Sequence, residues 1–213
     1  MKEKFKKTYE NYIKFPKYLL THPFDGFYDF KKYKKGKLSV AIVYVFLYVL
    51  FRIIKFSYES PIVSTVNPLN LNTIKEIVTV ILMVLVFSIA NWAVTTLMEG
   101  KGNFKEIFTV TGYSLFPIVI IGIPFVFISN LLTKDEMAIY NLVIGFSYLA
   151  TAWLLFMGIL NVHEYGLGKT IGAFILTAVA MAVMIFFAIL FFDLIQQIIS
   201  FIKILWQEIN LRL

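Results

Sequence analysis

The sequence predicts an all-α fold, an integral membrane protein that crosses the bilayer five times with its N-terminus in the cytoplasm and its C-terminus outside. Of its 213 residues 59% are hydrophobic and only 15% are charged, and the mean hydropathy is +0.78. Soluble chains are about 25% charged, and a soluble domain of this size could not bury so much apolar surface. Five long apolar stretches and a strongly basic first segment complete the prediction.

Residues 1–37 are predicted to form a basic cytoplasmic arm. Eleven lysines against four acidic residues account for the whole net charge of +7, so a nucleic-acid partner is not needed to explain the charge. Phe5, Tyr9, Tyr12 and Ile13 share one helical face before Pro16, which makes part of the arm amphipathic. The arm is expected either to lie on an anionic lipid leaflet or to remain a solvated topology signal.

Five stretches are apolar and long enough to cross a hydrocarbon core about 30 Å thick, which takes about 20 helical residues. Together they form a transmembrane domain over residues 38–192. After it, residues 193–213 place polar side chains on one helical face, which predicts an amphipathic helix at the outer interface. The predicted spans are residues 38–56, 77–98, 110–132, 137–160 and 171–192.

The distribution of basic residues predicts the orientation. With the N-terminus inside, cytoplasmic segments hold 14 lysines and arginines, and the outer segments hold six. Basic residues are retained on the cytoplasmic side during insertion. A re-entrant third span, turning back between Pro117 and Pro124, is the alternative that would reverse the last two spans.

The sequence lacks the residues that several kinds of chemistry require. There is no cysteine and there are only two histidines, so neither a metal site nor any cofactor is predicted. No ionisable side chain lies in the middle of a span, which argues against proton-coupled transport and intramembrane proteolysis. The acid/base-like pair His163–Glu164 is the one feature that suggests an enzyme, and we rank that hypothesis third.

Small polar residues and prolines inside the spans support a second hypothesis. Ser88, Asn91 and Thr95 share a face of the second span, where helix packing is the simpler explanation. Pro117 and Pro124 predict a kinked or broken third span. Broken helices line binding sites in transporters, so a small-solute transporter or channel with a polar groove near Asn91 and Pro117 is the alternative function.

Two short cytoplasmic loops carry Gly-x-Gly followed by lysine, at residues 99–106 and 161–169. Neither has the strand and glycine spacing of a phosphate-binding loop, and tight turns between helices explain the glycines better. Because the loops are short, polar and close to Pro117, we expect them to contact a protein partner. The candidate contact residues are Gly100, Lys101, Gly102, Lys105, His163, Glu164, Gly166, Gly168 and Lys169.

Several of these segments resemble the Yip domain, whose eukaryotic members are Ypt/Rab-interacting membrane proteins. The resemblance covers about residues 18–195. It implies five membrane helices, a cytosolic N-terminus and a non-enzymatic role in membrane organisation or vesicle traffic through partners. It rests on His-Pro-Phe-Asp-Gly at 22–26, the Gly-x-Gly segment at 100–108, Gly-Tyr-Ser-Leu-Phe-Pro at 112–117 and the hairpin at 164–169.

The chain departs from the trafficking members in its short, lysine-rich arm, which is shorter than their GTPase-binding region. The arm, the absence of cysteine and the bias toward Lys, Ile, Phe and Asn are more similar to bacterial-type members. A multi-pass protein of a bacterial plasma membrane, acting as an accessory subunit for an unknown membrane or cytoplasmic protein, is therefore expected. The sequence leaves oligomer formation open.

Overall fold

The computed structural model describes residues 6, 8–64 and 72–212, and within these residues the fold is all-helical. A single π-helical turn, Glu10–Lys14, precedes the first α-helix, and two short 3-10 turns, Ser129–Leu131 and Lys134–Glu136, lie between the sixth and seventh α-helices. The α-helices are α1, Phe15–Thr21; α2, Pro23–Lys32; α3, Leu38–Tyr58; α4, Thr73–Leu97; α5, Phe104–Ser114; α6, Phe116–Ile128; α7, Met137–His163; and α8, Leu167–Arg212.

The prediction of five membrane-spanning helices is confirmed. Five helical segments in the described part of the chain are long and apolar enough to cross a bilayer, and each overlaps one predicted span. We call the end of the bundle that carries α1 and α2 the arm end, and the other the opposite end. The five segments are Leu38–Tyr58, Thr73–Leu97, Phe104–Leu131, Lys134–His163 and Leu167–Leu211.

The third span is broken but crosses the bundle. Helix α5 ends at Ser114 and α6 begins at Phe116, with Pro117 in its first turn, where the missing N–H needs no helical partner. Helix α6 then continues through Pro124. At the opposite end, Ser60 N donates to Ser129 Oγ at 3.0 Å. Since Ser60 follows the end of α3, the third span finishes beside the end of the first and is not re-entrant.

The N-terminal hairpin α1–α2 packs into the membrane bundle. Leu19 and Phe27 are fully buried, and Phe30 nearly so. Burying one such side chain contributes about 1.5–3 kcal/mol, so the hairpin is held by apolar contact as well as by charge. Residues 1–5 and 7, including Phe5 of the predicted stripe, lie outside the described residues. Leu19, Phe27 and Phe30 belong to one buried apolar cluster with Val40, Ala41, Tyr44, Ile107, Val110, Tyr113, Phe116, Val119, Leu154, Ile159 and Val162.

The last helix leaves the bundle part-way along its length. Helix α8 has 46 residues, about 69 Å at 1.5 Å per residue, and it packs against α4 through Phe174 and Thr177. None of residues 178–211 is buried. Residues 193–212 continue this helix, whose location along the outer interface stays a prediction; Leu213 lies outside the described residues.

Candidate partner-contact site

The two Gly-x-Gly loops meet at the arm end of the bundle. Gly102 N–H donates to Nδ1 of His163 at 3.2 Å, and the Lys101 ammonium contacts a Glu164 carboxylate oxygen at 2.6 Å. The structure therefore brings together residues that are more than 60 positions apart in the sequence. We call this pair of joined loops, residues 98–103 and 164–169, the loop junction.

Acidic residues make the turns that shape the junction. Glu99 and Glu164 have φ of 58° and 55°, left-handed conformations that end α4 and α7. Helix α5 then begins with a capping box, in which Asn103 accepts from the Glu106 N–H and the Glu106 carboxylate accepts from the Asn103 N–H. The two loops thus share a left-handed glutamate just before their glycines.

The first loop is a short connection between α4 and α5, and close approach to the second loop accounts for its two glycines. No glycine in the described part of the chain has a positive φ. A Cβ on Gly102 would lie 2.7 Å from His163 Cε1, and one on Gly100 would lie 2.6 Å from the Tyr165 hydroxyl. By contrast, a Cβ on Gly166 or Gly168 would meet no atom within 4 Å.

Tyr165 fastens the second loop to the end of α4. Its hydroxyl donates to the carbonyl oxygens of Thr95 and Met98 at 3.2 and 3.1 Å, and its ring stacks on His163 with centroids 5.3 Å apart. Burial raises the pKa of the Tyr165 hydroxyl, so the group remains a donor at neutral pH. Lys169 places its ammonium 4.6 Å from the ring centroid.

Lys31 connects the N-terminal hairpin to the same junction. Its ammonium contacts Glu106 at 2.7 Å and donates to the carbonyl oxygen of Lys101 at 3.2 Å. Both side chains of this ion pair are mostly shielded, with 22% and 28% exposure, so the pair is screened less by salt than a surface pair. One glutamate therefore caps α5 and also fixes α2 against the first loop.

The outer face of the junction is charged and accessible. Lys101 and Glu164 are 66% and 52% exposed, and the hydrogen bond from Lys101 lowers the pKa of the Glu164 carboxyl. Such a pair adds little stability. Leu167 is 63% exposed beside Gly168 and Lys169. A surface with one large apolar side chain among fixed charges is suited to contact with another protein.

The junction does not assemble an acid–base pair from His163 and Glu164. The imidazole is 1% exposed, and its Nδ1 is occupied by the Gly102 N–H, which places the ring proton on Nε2. Glu164 instead faces Lys101, and no hydrogen bond joins the two side chains. Among the described residues, no group of three His, Cys, Asp or Glu side chains could hold a metal ion.

The polar residues inside the spans contact protein. Ser88, Asn91 and Thr95 are 0% exposed, and the two hydroxyls donate to carbonyl oxygens of their own helix. The Asn91 amide donates to the Thr177 hydroxyl at 3.1 Å, joining α4 to α8. Pro117 is also buried. These contacts are those of helix packing, and none of them favours the transporter or channel alternative.

Removing the imidazole is expected to release the first loop. In His163→Ala, the Gly102 N–H loses its acceptor, so we expect its hydrogen exchange to accelerate by about tenfold or more. Glu164→Ala, which removes only an exposed ion pair, should change this exchange little. Amide exchange read by mass spectrometry on peptides covering residues 98–103 measures both; equal exchange in the wild type and His163→Ala would contradict the assigned bond.

Sequence reasoning did not find Lys31 or Tyr165. Lys31 was one of eleven lysines in the arm, and nothing in its local sequence distinguishes the lysine that pairs with Glu106, 75 positions away. Tyr165 lies in the loop at residues 161–169, but the Gly-x-Gly motif alone did not indicate a role for it. For the hairpin a signal was available, since Phe27 and Phe30 are three residues apart and can share a helical face with a buried partner.

Comparison with known proteins places the chain in a family. No curated protein and no solved structure matches it, but the family model described as Yip1 domain matches residues 17–202. That range includes Leu19, Phe27 and Phe30 of the hairpin, the first four membrane segments, most of the fifth and both loops of the junction. The chain belongs to the Yip1 domain family.

Proposed function

We propose that this protein is a non-enzymatic, membrane-organising or accessory subunit that acts through a protein partner bound at the loop junction. The Yip family is a family of non-enzymatic membrane proteins whose members interact with Rab/Ypt GTPases and with membranes. That background supports a protein partner and a lipid partner, while the residues of the junction supply the proposed place of contact.

The observation that carries the proposal is the pre-assembly of the junction. Contacts within the chain hold its backbone: the Gly102–His163 hydrogen bond, the Tyr165 hydroxyl and the Lys31 ammonium. An ordered surface loses little conformational entropy on binding, which favours affinity. The exposed Leu167 and the charges around it would then provide the contact itself.

The proposed setting is a plasma membrane, with the arm end in the cytoplasm. The basic residues support this orientation, since 14 of them belong to segments at the arm end. Lysines of the arm would attract anionic lipid of the inner leaflet, at about 1 kcal/mol for each lysine near the surface. The junction would then face cytoplasmic proteins and the cytoplasmic parts of membrane proteins.

Affinity purification in mild detergent followed by mass spectrometry tests the proposal. The double variant Leu167→Asp, Lys169→Glu is expected to lower recovery of a specific partner by about tenfold or more, because it removes an apolar contact and reverses a charge. Leu131→Asp, Lys134→Glu makes the same two changes at exposed positions of the opposite end and should retain the partner. Equal recovery of the partner with the wild type and both double variants would argue against the loop junction as the contact site.

A further inference from the structure

A polar cavity lies at the arm end, at the level where the membrane helices begin. Its volume is about 280 Å³, and it is lined by the end of α2, by the segment between α2 and α3 and by the first turns of α5. Helix α3 begins at Leu38 and the third span at Phe104, so the cavity adjoins the start of two membrane-spanning segments. Its polar lining is Lys31, Lys34, Asn103, Lys105, Glu106 and Thr109.

The cavity carries a net positive charge that the protein does not neutralise. Three lysines and one glutamate line it, which leaves +2, and Glu106 is already paired with Lys31. Among the residues that the structure describes, the Lys34 and Lys105 side chains form no ion pair or hydrogen bond. Two free ammonium groups in one cavity are suited to a phosphate group.

One of the two free lysines occupies a position that is unfavourable for its helix. Lys34, with φ of 50°, follows the end of α2 in the left-handed conformation that also ends α4 at Glu99. Lys105 lies in the first turn of α5, where the helix dipole disfavours a cation. A cation placed against the helix dipole, beside a second free lysine, points to an anionic ligand at these side chains.

An apolar groove lies in the membrane region, and Phe108 in its lining directly precedes Thr109 in the lining of the cavity. It lies between α3 and α4, has a volume of about 360 Å³ and includes Phe108, which is one turn beyond Lys105 on α5. Measured along α3 from Leu38, the groove covers depths of about 6–22 Å, from Ile42 to Ile53, so it reaches just past the middle of a hydrocarbon core about 30 Å thick. Its lining includes Ile42, Phe46, Leu50, Ile81, Leu85 and Phe108.

We propose that the cavity and the groove together bind one anionic phospholipid of the inner leaflet, with its phosphate between Lys34 and Lys105 and an acyl chain in the groove. The inference rests on the lipid contact proposed for the arm and assigns it to a defined site. The groove favours a lipid over a soluble phosphate compound, because only the lipid has an apolar chain to fill it. The charge of the cavity complements a phosphodiester or phosphomonoester.

Native mass spectrometry of the full chain tests the headgroup half of the site. The wild type in mild detergent, titrated with phosphatidylglycerol or with phosphatidylcholine of the same acyl chains, should retain one phosphatidylglycerol preferentially. Lys34→Gln, Lys105→Gln is expected to lower that preference about thirtyfold. Lys17→Gln, Lys32→Gln removes two lysines that do not line the cavity and are exposed to solvent, where salt screens their charge, so it should change the preference less than about twofold. Equal losses in both variants would leave only diffuse attraction to the arm and would overturn the site.

The acyl-chain half is tested by filling the groove. Ile81→Trp is expected to reduce phosphatidylglycerol retention without changing any charge, whereas Ile89→Trp, an exposed position of α4 outside the groove, should not. Competition with inorganic phosphate tests whether the lysines instead bind a soluble anion. Displacement of the lipid by millimolar phosphate, with no effect of Ile81→Trp, would assign the lysines to a soluble anion and overturn the lipid site. Because the purified chain carries no partner, either failure leaves the partner proposal standing.

Discussion

Cysteines introduced at the arm end are expected to be protected from a membrane-impermeant thiol reagent in intact cells, whereas cysteines at the opposite end are expected to react. The chain has no native cysteine, so each single substitution reports on one position. All-or-none differences are expected, because a charged reagent does not cross the hydrocarbon core. The protected positions are Lys34, Asn103 and Leu167, and the reactive ones are Asn67, Asp135 and Asn210.

The positions are suited to the experiment because five of the six side chains are exposed in the structure, so that a lack of labelling reports the side of the membrane. Asn67 lies outside the described residues. Permeabilised cells provide the control, since all six cysteines should then react. Labelling at 167 with protection at 135 in intact cells would contradict the predicted orientation of the last two spans.

The number and position of the spans could be predicted because they depend on local properties. A run of about 20 apolar residues can be recognised as a membrane span from its local sequence alone. The uninterrupted helix from Leu167 to Arg212 is likewise consistent with its sequence, which has no proline and no glycine after Gly172. The break at Leu115 follows from Pro117, whose ring disfavours a continuous helix before it.

The interior of the arm end could not be predicted, because it depends on contacts between distant segments. Gly102 and His163 are 61 positions apart, and Lys31 and Glu106 are 75 apart. Gly-x-Gly between helices is equally compatible with turns that need a positive φ and with loops that need close approach. Only the structure shows that Glu99 and Glu164 take the left-handed conformation and that Gly100 and Gly102 face His163.

The polar residues of the second span illustrate the same limit. Their spacing showed that Ser88, Asn91 and Thr95 share one helical face, but spacing alone does not distinguish a groove from a helix contact. The answer depends on Thr177, which lies in the fifth span, 86 positions after Asn91. A polar face inside a membrane helix is therefore a prediction of contact, whose partner only the fold identifies.

Substitution of Gly112 by leucine is expected to have the largest effect on stability. Gly112 lies where α5 crosses α3, and a Cβ there would be 2.6 Å from the Ala41 Cβ and 2.7 Å from both the Ala41 Cα and its carbonyl oxygen. Because two of these three atoms belong to the backbone, rotation of a side chain cannot relieve the contact. The helices must separate, so we expect Gly112→Leu to lower the free energy of unfolding by about 3 kcal/mol or more.

Unfolding of the purified protein in mixed detergent with increasing dodecyl sulfate, followed by circular dichroism, measures this loss. Gly145→Leu is the matched control, because Gly145 is also inside a membrane helix but a Cβ there would meet no atom within 4 Å. Leucine has a higher helix propensity than glycine, so the control should be unchanged or slightly more stable. A second substitution, Ala41→Gly, removes only the Cβ and leaves the backbone atoms 2.7 Å away. The double variant Gly112→Leu, Ala41→Gly should therefore remain unstable, and full recovery of stability would show that the side chain, not the backbone of α3, limits the approach of these two helices.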